Sequence, residues 1–375
     1  MRVIALSSIF AFLLIGCGDG ITVDGGTGGT GGTGGTGASG GAGGTGDVAA
    51  KLSHTYEPIA VDVGGEVSNR CQTWVLDNDE PLYVSKVRQT NDGGWHHSNW
   101  FFVPEWAYLP NTELEGPDAT VEGTWKCSDR SFREYLAAAA GGVFFAQSTQ
   151  TLVEAQEFPE GAVLEIPPRS AIIGSIHLLN ISAHPIDSAF TMEVETVPAD
   201  QVEVRLTPFS FSNTALDIAP QRESRFSMTC DLTETFQDNY GIAPDYNVYY
   251  VLAHYHEWGN YFNLSFTQED GTRETILELE NRVGEPIGKT IDPPMNNGGA
   301  PALTVDCGYL NNTDRTLHYG LGGQEMCVFL AYTDSDLKVG SSAGDNHPMG
   351  EDENGILLNE TECGPITAFQ ANFDN

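Results

Sequence analysis

Basic side chains are scarce in this chain of 375 residues, which has 17 Lys and Arg against 52 Asp and Glu. The formal net charge is −35 with histidine counted as neutral. A surface with this excess of carboxylates repels the phosphate backbone of nucleic acids and the headgroups of anionic lipids. The composition therefore excludes nucleic acid as an expected partner.

Long apolar runs are also missing, apart from the opening segment MRVIALSSIFAFLLIGCGDG. Its apolar part, Val3 to Ile15, is too short to span a bilayer, and no later stretch approaches the roughly 18 residues that a membrane helix needs. Leu14-Ile15-Gly16-Cys17 matches the bacterial lipobox, so residues 1–16 resemble a lipoprotein signal peptide and Cys17 the lipidated residue. The alternative is an ordinary secretory signal with a chance cysteine.

The lipobox predicts a lipid-anchored protein of the cell envelope, periplasmic or surface-exposed. Gly18 rather than Asp follows the cysteine, which favours the outer membrane. Residues 17–50 consist largely of Gly and Thr and have almost nothing to bury. Such a segment is typical of a flexible linker, here one that holds a globular body away from the lipid surface.

Close pairs of cysteines of the Cys-x-x-Cys type, which mark most thiolate zinc sites, are absent. If Cys17 is lipidated, an even number of cysteines remains, which in an exported chain predicts three disulfides. The sequence alone does not choose among their pairings, and a thiolate metal site is the competing interpretation. The remaining cysteines are Cys71, Cys127, Cys230, Cys307, Cys327 and Cys363.

Helical patterns are rare, and Ser131 to Ala140 is the one good helix candidate, which we expect on the surface. Short β-branched or aromatic runs bounded by Gly, Pro, Asn and Asp predict an all-β fold of sandwiches or barrels. A polar stretch after Pro208 suggests a joint, so we expect one domain over residues 51–207 and another over 208–375. The predicted strands include 171–182, 202–206, 247–254 and 328–332.

Two pairs of histidines are candidates for metal binding. His254 and His256 lie two residues apart at the end of an apolar run, so on a strand both rings share a face and can converge on one ion. His96 and His97 are adjacent and would point to opposite faces of a regular strand, so they reach one metal only at a loop or bulge. Either pair could also consist of solvent-exposed histidines that bind no metal.

Two further positions have the right chemistry for a metal site. His177 lies in an apolar strand, three residues before Asn180, although a buried histidine is more often structural. Met326 precedes Cys327 and offers a thioether, a soft ligand suited to Cu(I), although such a methionine more often packs beside a disulfide.

In this order, these motifs resemble those of the copper type II, ascorbate-dependent monooxygenases, the family of peptidylglycine α-hydroxylating monooxygenase and dopamine β-monooxygenase. The most specific stretch runs from Cys307 to Cys327, with a Tyr/Asn-rich turn, Arg-Thr, a Gly-rich segment and Glu-Met-Cys. Upstream lies His254-Tyr255-His256, where the family has its His-x-His. In the first half, Cys71 precedes His96-His97, and His177 is followed by Asn180 as in the family.

The resemblance implies two tandem jelly-roll-like antiparallel β-sandwiches, each with one copper ion, facing each other across a water-filled cleft. It implies an all-imidazole site of His96, His97 and His177, and a mixed site of His254, His256 and Met326. It also implies disulfides Cys71–Cys127 and Cys307–Cys327, which leaves Cys230 for Cys363.

By the same resemblance, the copper held by His254, His256 and Met326 activates O2 and hydroxylates a substrate C–H bond, while the all-imidazole copper supplies an electron. Ascorbate or a similar reductant would restore both ions, and the substrate would be a small molecule or a peptide. Imidazole must be neutral to coordinate, so copper should dissociate as the pH falls through the imidazole range. A copper-binding envelope protein without catalysis and a non-metal adhesion or carbohydrate-binding sandwich are the alternatives.

The chain departs from the amidating members of the family at three positions. Leu252 and Leu330 replace the Arg and Tyr that hold a peptide carboxylate, and Val328 replaces an Asn. We therefore expect an apolar or differently anchored substrate. The stretch between His97 and His177 is long for the family, so His184 is an alternative to His177 as third ligand.

Aromatic residues flank the adjacent histidines and could line a substrate cleft or belong to the core. They are Trp95, Trp100, Phe101, Phe102, Trp106 and Tyr108.

Overall fold

A computed structural model describes residues 49–107, 122–130, 132–147, 150–281, 287–320 and 323–369. The predicted signal peptide, Cys17 and the linker up to residue 48 lie outside these ranges, as does Tyr108. Within the described ranges, no helix is both long and apolar enough to span a bilayer.

Two antiparallel sheets form most of the first half. One has the strand order β1-β10-β3-β8-β11, with β7 also paired to β3 and β11 running parallel to β8, and the other has the order β5-β2-β9-β4-β6. The strands are β1 (Lys51–Val61), β2 (Glu66–Val75), β3 (Leu82–Asn91), β4 (Trp95–Val103), β5 (Gly123–Lys126), β6 (Gly142–Gln147), β7 (Val153–Glu157), β8 (Ala162–Ile166), β9 (Ala171–Leu179), β10 (Ile186–Val197) and β11 (Val204–Arg205).

The core of the first half lies between these two sheets. Along β10 every second residue is buried, as expected for a strand with one face on a core, and Phe190 is among them. Phe190 stacks on Trp100 of β4, with ring centroids 4.9 Å apart, so aromatic rings join the two sheets. Helix α1 (Glu134–Ala140) covers part of β4 and β6.

A ten-stranded sheet forms most of the second half, in the order β17-β16-β19-β14-β23-β22-β12-β21-β15-β18, and β13 pairs with β20. The elements are β12 (Thr207–Ser212), β13 (Asp217–Ile218), β14 (Arg222–Asp231), α2 (Thr233–Tyr240), β15 (Asn247–His254), β16 (Gly259–Thr267), β17 (Arg273–Glu280), β18 (Gly288–Asn296), β19 (Ala302–Asn311), β20 (Leu317–His318), β21 (Val328–Thr333), β22 (Leu337–Glu351) and β23 (Leu357–Phe369).

The ten-stranded sheet folds back on itself. Tyr246, just before β15, contacts Phe266 of β16 with ring centroids 6.1 Å apart, although β15 and β16 lie near opposite ends of the sheet order. The disulfide Cys307–Cys327 likewise joins β19 to the segment before β21. The second half is therefore also a two-layered β structure with its own core, and the predicted all-β fold is confirmed.

The same asparagine-centred turn occurs in both halves. Asn180 follows β9 and Asn311 ends β19, and each donates from Nδ2 to the carbonyl four residues later, His184 and Arg315 respectively. Each Oδ1 accepts the backbone N–H and the hydroxyl two residues later, at Ser182 and Thr313. Each Nδ2 also ties down the chain just before a neighbouring strand, at Val61 and Ile218. The same local turn therefore anchors a strand end in each half.

The pairing of strands changes from one half to the other at Leu206 and Thr207, beside the predicted boundary. β11 pairs with β8 of the first half, whereas β12 pairs with β21 and β22 of the second. The halves nevertheless share apolar packing, because residues of β15 and β21 belong to the hydrophobic cluster of the first half. These are Tyr249, Tyr250, Leu252, Leu330 and Tyr332.

The predicted strands are present, with differences at their ends. β15 coincides with its predicted range, β9 begins as predicted but ends at Leu179, and β21 extends one residue beyond its predicted end. Of the predicted strand 202–206, only Val204–Arg205 is strand. The predicted helix is present as α1, but it begins at Glu134, and Ala137 is fully buried rather than on the surface. Helix α2 was not predicted, because Phe236 is the only buried residue in it and no apolar stripe marks it.

All three disulfides are present with the pairing that the resemblance implied. They are Cys71–Cys127, Cys230–Cys363 and Cys307–Cys327.

Candidate metal centre

A β-bulge in β4 brings the adjacent histidines to one place. Trp95 pairs with Leu178 of β9 and His97 pairs with His177, so His96 is the extra residue between two ladder positions. The bulge removes the regular alternation of faces, and the rings of His96 and His97 lie 5.5 Å apart. This is the irregular pairing that the sequence required for two adjacent histidines to act together.

His177 is the direct cross-strand partner of His97. Its Nδ1 lies 3.1 Å from Nε2 of His97, and its Nε2 lies 2.7 Å from Oε1 of Glu66 on β2. A carboxylate beside one ring nitrogen fixes the proton there and leaves the other nitrogen as an acceptor or metal ligand. His177 is therefore oriented with Nδ1 toward His97, and Glu66 is a functional candidate that the sequence analysis missed.

His254 and His256 lie at the end of β15. His254 is the last residue of the ladder with β21, where it pairs with Val328. His256 follows beyond the strand, and the two rings are 5.1 Å apart. The predicted convergence of this pair is present, although only His254 is on regular strand.

The two pairs and His177 form one histidine cluster, made of His96, His97, His177, His254 and His256. Across the two halves, the ring centroids of His97 and His254 are 5.2 Å apart, and those of His96 and His256 are 5.4 Å apart. One ring nitrogen from each of His97, His254 and His256 lies within 4.8 Å of the others, so these three rings could hold a metal ion.

This arrangement differs from the one that the resemblance implied. In place of a water-filled cleft between two separate trios, the rings from the two halves pack against each other, and His97, His177, His254 and His256 are buried. His184, the alternative third ligand, is exposed, and its backbone carbonyl is bonded to Asn180. The structure thus places His177 rather than His184 in the cluster.

Glu325 fixes the segment that carries Met326 beside His256. Its carboxylate is fully buried and accepts backbone N–H groups from His256 at 2.9 Å, Trp258 at 2.8 Å and Met326 at 3.3 Å. It stands where the ladder between β15 and β21 stops, and continuing that register past His254 and Val328 sets Met326 opposite His256. In the sequence, Glu325 is recognisable only as part of the Glu-Met-Cys motif, which predicts no role for its carboxylate.

Two hydrogen bonds and a disulfide also hold this segment. Nδ1 of His256 donates to the carbonyl of Gln324 at 2.8 Å, since a carbonyl can only accept, so Nε2 carries the free electron pair. The hydroxyl of Tyr309 donates to the carbonyl of Met326 at 2.6 Å, and Cys327 is tied to β19 through Cys307. The backbone of Met326 is therefore anchored on both sides.

Burial lowers the pKa of three histidines in the cluster, which favours their neutral form. The pKa of His97 lies well below its usual value, first because burial removes water and then because four neighbouring imidazoles would carry the same charge. Burial and the adjacent His254 lower the pKa of His256 to about 3, against the opposing effect of the Gln324 carbonyl. Burial also lowers the pKa of His96. Neutral imidazoles are the form that binds metal ions.

The carboxyl of Glu325 is perturbed in the other direction. Burial raises its pKa to about 7, although the three backbone N–H groups that it accepts favour the charged form. Glu325 therefore combines a cost of burial with a strong constraint on the backbone around it.

The donor set fits a copper ion. Nδ1 of His96 and Nε2 of His256 are buried and have no hydrogen-bond partner within the described part of the chain. A buried polar atom without a partner is unfavourable, and a bound metal ion would satisfy it. Imidazole nitrogens suit copper and also zinc, and a thioether ligand such as that of Met326 would favour Cu(I).

The aromatic residues near the adjacent histidines belong mostly to the core. Trp95 and Trp100 are fully buried, and Phe101 and Phe102 nearly so, whereas Trp106 is 51% exposed. Leu252 and Leu330 pair with each other across β15 and β21 and are buried.

No family model matches the chain, and no curated protein matches it in sequence. Among solved structures it is similar to the PBSX exported protein XepA, at 8% identity over 75% of this chain and 86% of that one, with a TM-score of 0.20. It is also similar to a putative secreted protein from Parabacteroides distasonis, at 9% identity over 75% and 88% of the two chains, with a TM-score of 0.19. The VP2 subviral particle of infectious bursal disease virus gives 10% identity over 76% and 72%, with a TM-score of 0.18.

Proposed function

We propose that this protein is a lipid-anchored copper monooxygenase of the cell envelope that hydroxylates a C–H bond with O2 and ascorbate or a similar reductant. The observation that carries the proposal is the histidine cluster, in which imidazoles from distant motifs of both halves meet in space. The family resemblance of the same motifs supplies the type of reaction. The lipobox that ends at Cys17 supplies the location.

In this proposal the first half holds one copper ion through His96, His97 and His177, and the second half holds another through His254, His256 and Met326. When bound, copper supplies one-electron redox chemistry and the activation of O2. Glu66 holds the tautomer of His177, and the carbonyl of Gln324 holds that of His256. Glu325 fixes the spacing of the His256 and Met326 segments.

The proposed substrate is a small molecule or a peptide that is not held by a terminal carboxylate. Leu252 and Leu330 offer no charged or hydrogen-bonding group at the positions of the family's clamp, and both are buried. An apolar substrate, or one anchored elsewhere, is consistent with these side chains.

One observation favours a second candidate, a copper-binding envelope protein without catalysis. The rings of the two halves are in contact, and four of the five histidines are buried, so the cluster resembles a storage site more than an open active site. Both candidates require copper, and they differ in whether O2 is consumed.

The test is copper content after dialysis, followed by O2 consumption by the copper-loaded protein with ascorbate. In the Met326→Ile variant we expect the catalytic rate to fall by at least about a hundredfold while the imidazole-bound copper stays. Met349→Ile is the matched control, because Met349 is 55% exposed and we expect no change there.

Each outcome identifies one function. A Met326→Ile variant as active as the wild type would contradict the role of Met326. Copper binding without O2 consumption would leave the storage function. A protein that takes up no copper would leave a non-metal adhesion or carbohydrate-binding sandwich.

A further inference from the structure

A surface pocket of about 430 Å³ lies next to the histidine cluster. Glu66 lines the pocket, and the same carboxylate is 2.7 Å from Nε2 of His177. His177 in turn contacts His97 at 3.1 Å. The contacts Glu66–His177 and His177–His97 therefore connect the pocket to His97, the ring that contacts His254 of the second half.

The wall of this pocket is rigid. β2 is bulged between Val67 and Arg70, and Asn69 within the bulge has a positive φ of 54°. Asn69 donates from Nδ2 to Oγ of Ser128 at 3.0 Å, and its Oδ1 accepts the backbone N–H of Ser128 at 3.0 Å. The adjacent disulfide Cys71–Cys127 ties the same two segments together. A preformed wall lowers the entropy that a ligand loses on binding.

Two cations line the pocket side by side. Arg70 of β2 and Lys126 of β5 are direct cross-strand partners. Like charges in this position repel each other. Lys86 and Arg88, by contrast, each have a carboxylate partner.

Neither Arg70 nor Lys126 has such a partner among the residues that the structure describes, although acidic residues outnumber basic ones about threefold in the chain. Asp129 also lines the pocket, but no ion pair joins it to either cation there. With Glu66 and Asp129 the lining is formally neutral, but Glu66 contacts His177, and neither carboxylate forms an ion pair with Arg70 or Lys126 in the described residues. An adjacent pair of cations without its own carboxylate partner can bind an anionic ligand.

We propose that this pocket binds the small anionic reductant of the reaction, an enediol acid of the ascorbate type, through Arg70 and Lys126. The proposal rests on the proposed function. The volume suits a small molecule, the guanidinium and ammonium groups match a delocalised oxyanion, and Asn69 and Ser128 border the site as polar groups.

One hydroxylation takes two electrons from the reductant. Two ascorbate anions each give up one electron and release one proton to water, and each becomes an ascorbyl radical anion. The electrons reduce two Cu(II) ions to Cu(I). The two electrons and two protons convert O2 and a C–H bond into a C–O–H group and one water molecule.

The first experiment uses the metal-free protein and calorimetric titration with ascorbate under anaerobic conditions at low salt. We expect saturable binding that weakens by about tenfold or more in the Arg70→Gln/Lys126→Gln double variant. The matched control is Lys86→Gln/Arg88→Gln, which changes the net charge equally on the other sheet and should bind as the wild type does. Absence of saturable binding, equal weakening in the control, or equally tight binding of inorganic phosphate would overturn the proposal.

The second experiment follows the loss of the Cu(II) electron paramagnetic signal in copper-loaded protein after anaerobic mixing with a reductant. The double variant should react about tenfold more slowly with ascorbate and at the wild-type rate with neutral hydroquinone. Equal slowing with both reductants would contradict a docking site for an anion. Because the first experiment needs no copper, failure of the reductant site and failure of the copper function give different results.

Discussion

At the candidate metal centre, the carboxylate of Glu325 accepts backbone N–H groups where the pairing of β15 with β21 ends. It accepts three backbone N–H groups, one of them from Met326 and one from His256. An amide at this place has one acceptor oxygen and presents an NH2 group to backbone donors. Glu325→Gln should therefore separate the two segments that we propose hold the second copper.

We expect Glu325→Gln to lower the free energy of unfolding by about 2–4 kcal/mol. We also expect Cu(I) affinity to fall about 10- to 100-fold, with a weaker copper–sulfur signal in X-ray absorption. Glu353→Gln, at an exposed position, is the control and should change neither quantity. An unchanged copper–sulfur signal in Glu325→Gln would show that Glu325 does not position Met326.

The buried histidines predict how stability of the metal-free protein depends on pH. Their pKa values are lowered in the folded state, so between about pH 6.5 and 5 the unfolded chain takes up protons that the folded chain does not. Stability is therefore present above the unfolded pKa and is lost as the pH falls. The raised pKa of Glu325 acts in the opposite direction, but it is one group against three.

We expect the free energy of unfolding to drop by on the order of 3 kcal/mol between pH 6.5 and 5, measured by denaturant titration. His97→Phe should reduce this drop, because it removes one group that must stay neutral. His318→Gln is the control, since its ring is exposed, and it should keep the full drop. The same slope in His97→Phe and the wild type would contradict the neutral cluster.

Single residues show where sequence-based prediction of the site ends. The two histidine pairs could be found because their spacing along the chain carries the geometry. Glu66 and Glu325 could not, because no pattern links residue 66 to His177 or predicts that a carboxylate will replace a ladder next to His256. Their partners are set by tertiary packing.

The repeated asparagine turn is the clearest feature at the level of elements. Asn311 is fully buried, and its side chain makes four hydrogen bonds to the chain around β13, β19 and the turn itself. Asn311→Ala leaves buried backbone groups without partners, so we expect it to cost about 2–4 kcal/mol of stability in denaturant unfolding. Asn312→Ala, at the exposed neighbour, should cost less than about 0.5 kcal/mol. Equal effects would mean that the turn is not a structural anchor.

Strand positions were predictable and their irregularities were not. β15 coincides with an apolar run that ends in a histidine motif, and β9 with a run of β-branched residues. The bulges at His96 and Asn69 arise from the register of each strand against its neighbour β9. The sequence of a single strand does not determine that register. Both bulges lie beside functional candidates, where local departures from regular structure are common.

At the scale of the whole molecule, the two halves are expected to unfold together. The hydroxyl of Tyr332 donates to the carbonyl of Val143 at 3.1 Å, and Thr290 donates to the carbonyl of Glu157 at 2.7 Å, so bonds as well as apolar packing join them. Calorimetry of the metal-free protein should show one transition with a ratio of calorimetric to van't Hoff enthalpy near one.

Tyr332→Ala should weaken this coupling and split or broaden the transition, at a cost of about 3–5 kcal/mol. Phe211→Ala is the matched control, because Phe211 packs only in the core of the second half and should lower the melting temperature without splitting the transition. Two separate transitions in the wild type would show that the halves are independent.

The whole-molecule arrangement was only partly predictable. An all-β class and a joint near residue 207 follow from strand patterns and polar composition. The order of the ten-stranded sheet and the contact between the two histidine pairs do not, because both depend on pairings between residues far apart in sequence. The asparagine turn is repeated in both halves, but the positions of the histidines are not. They lie on β4 and β9 in one half and at the end of β15 in the other, so the repeated turn does not predict the site.

A seam lined with imidazoles from both sandwiches has a mechanical consequence. If His97 of one half and His254 and His256 of the other shared one ion, instead of each half holding its own, that ion would crosslink the halves. The ion would then have to bind before the two halves pack together or after they separate. This crosslink would be lost in acid, because protonated imidazole does not bind metal ions.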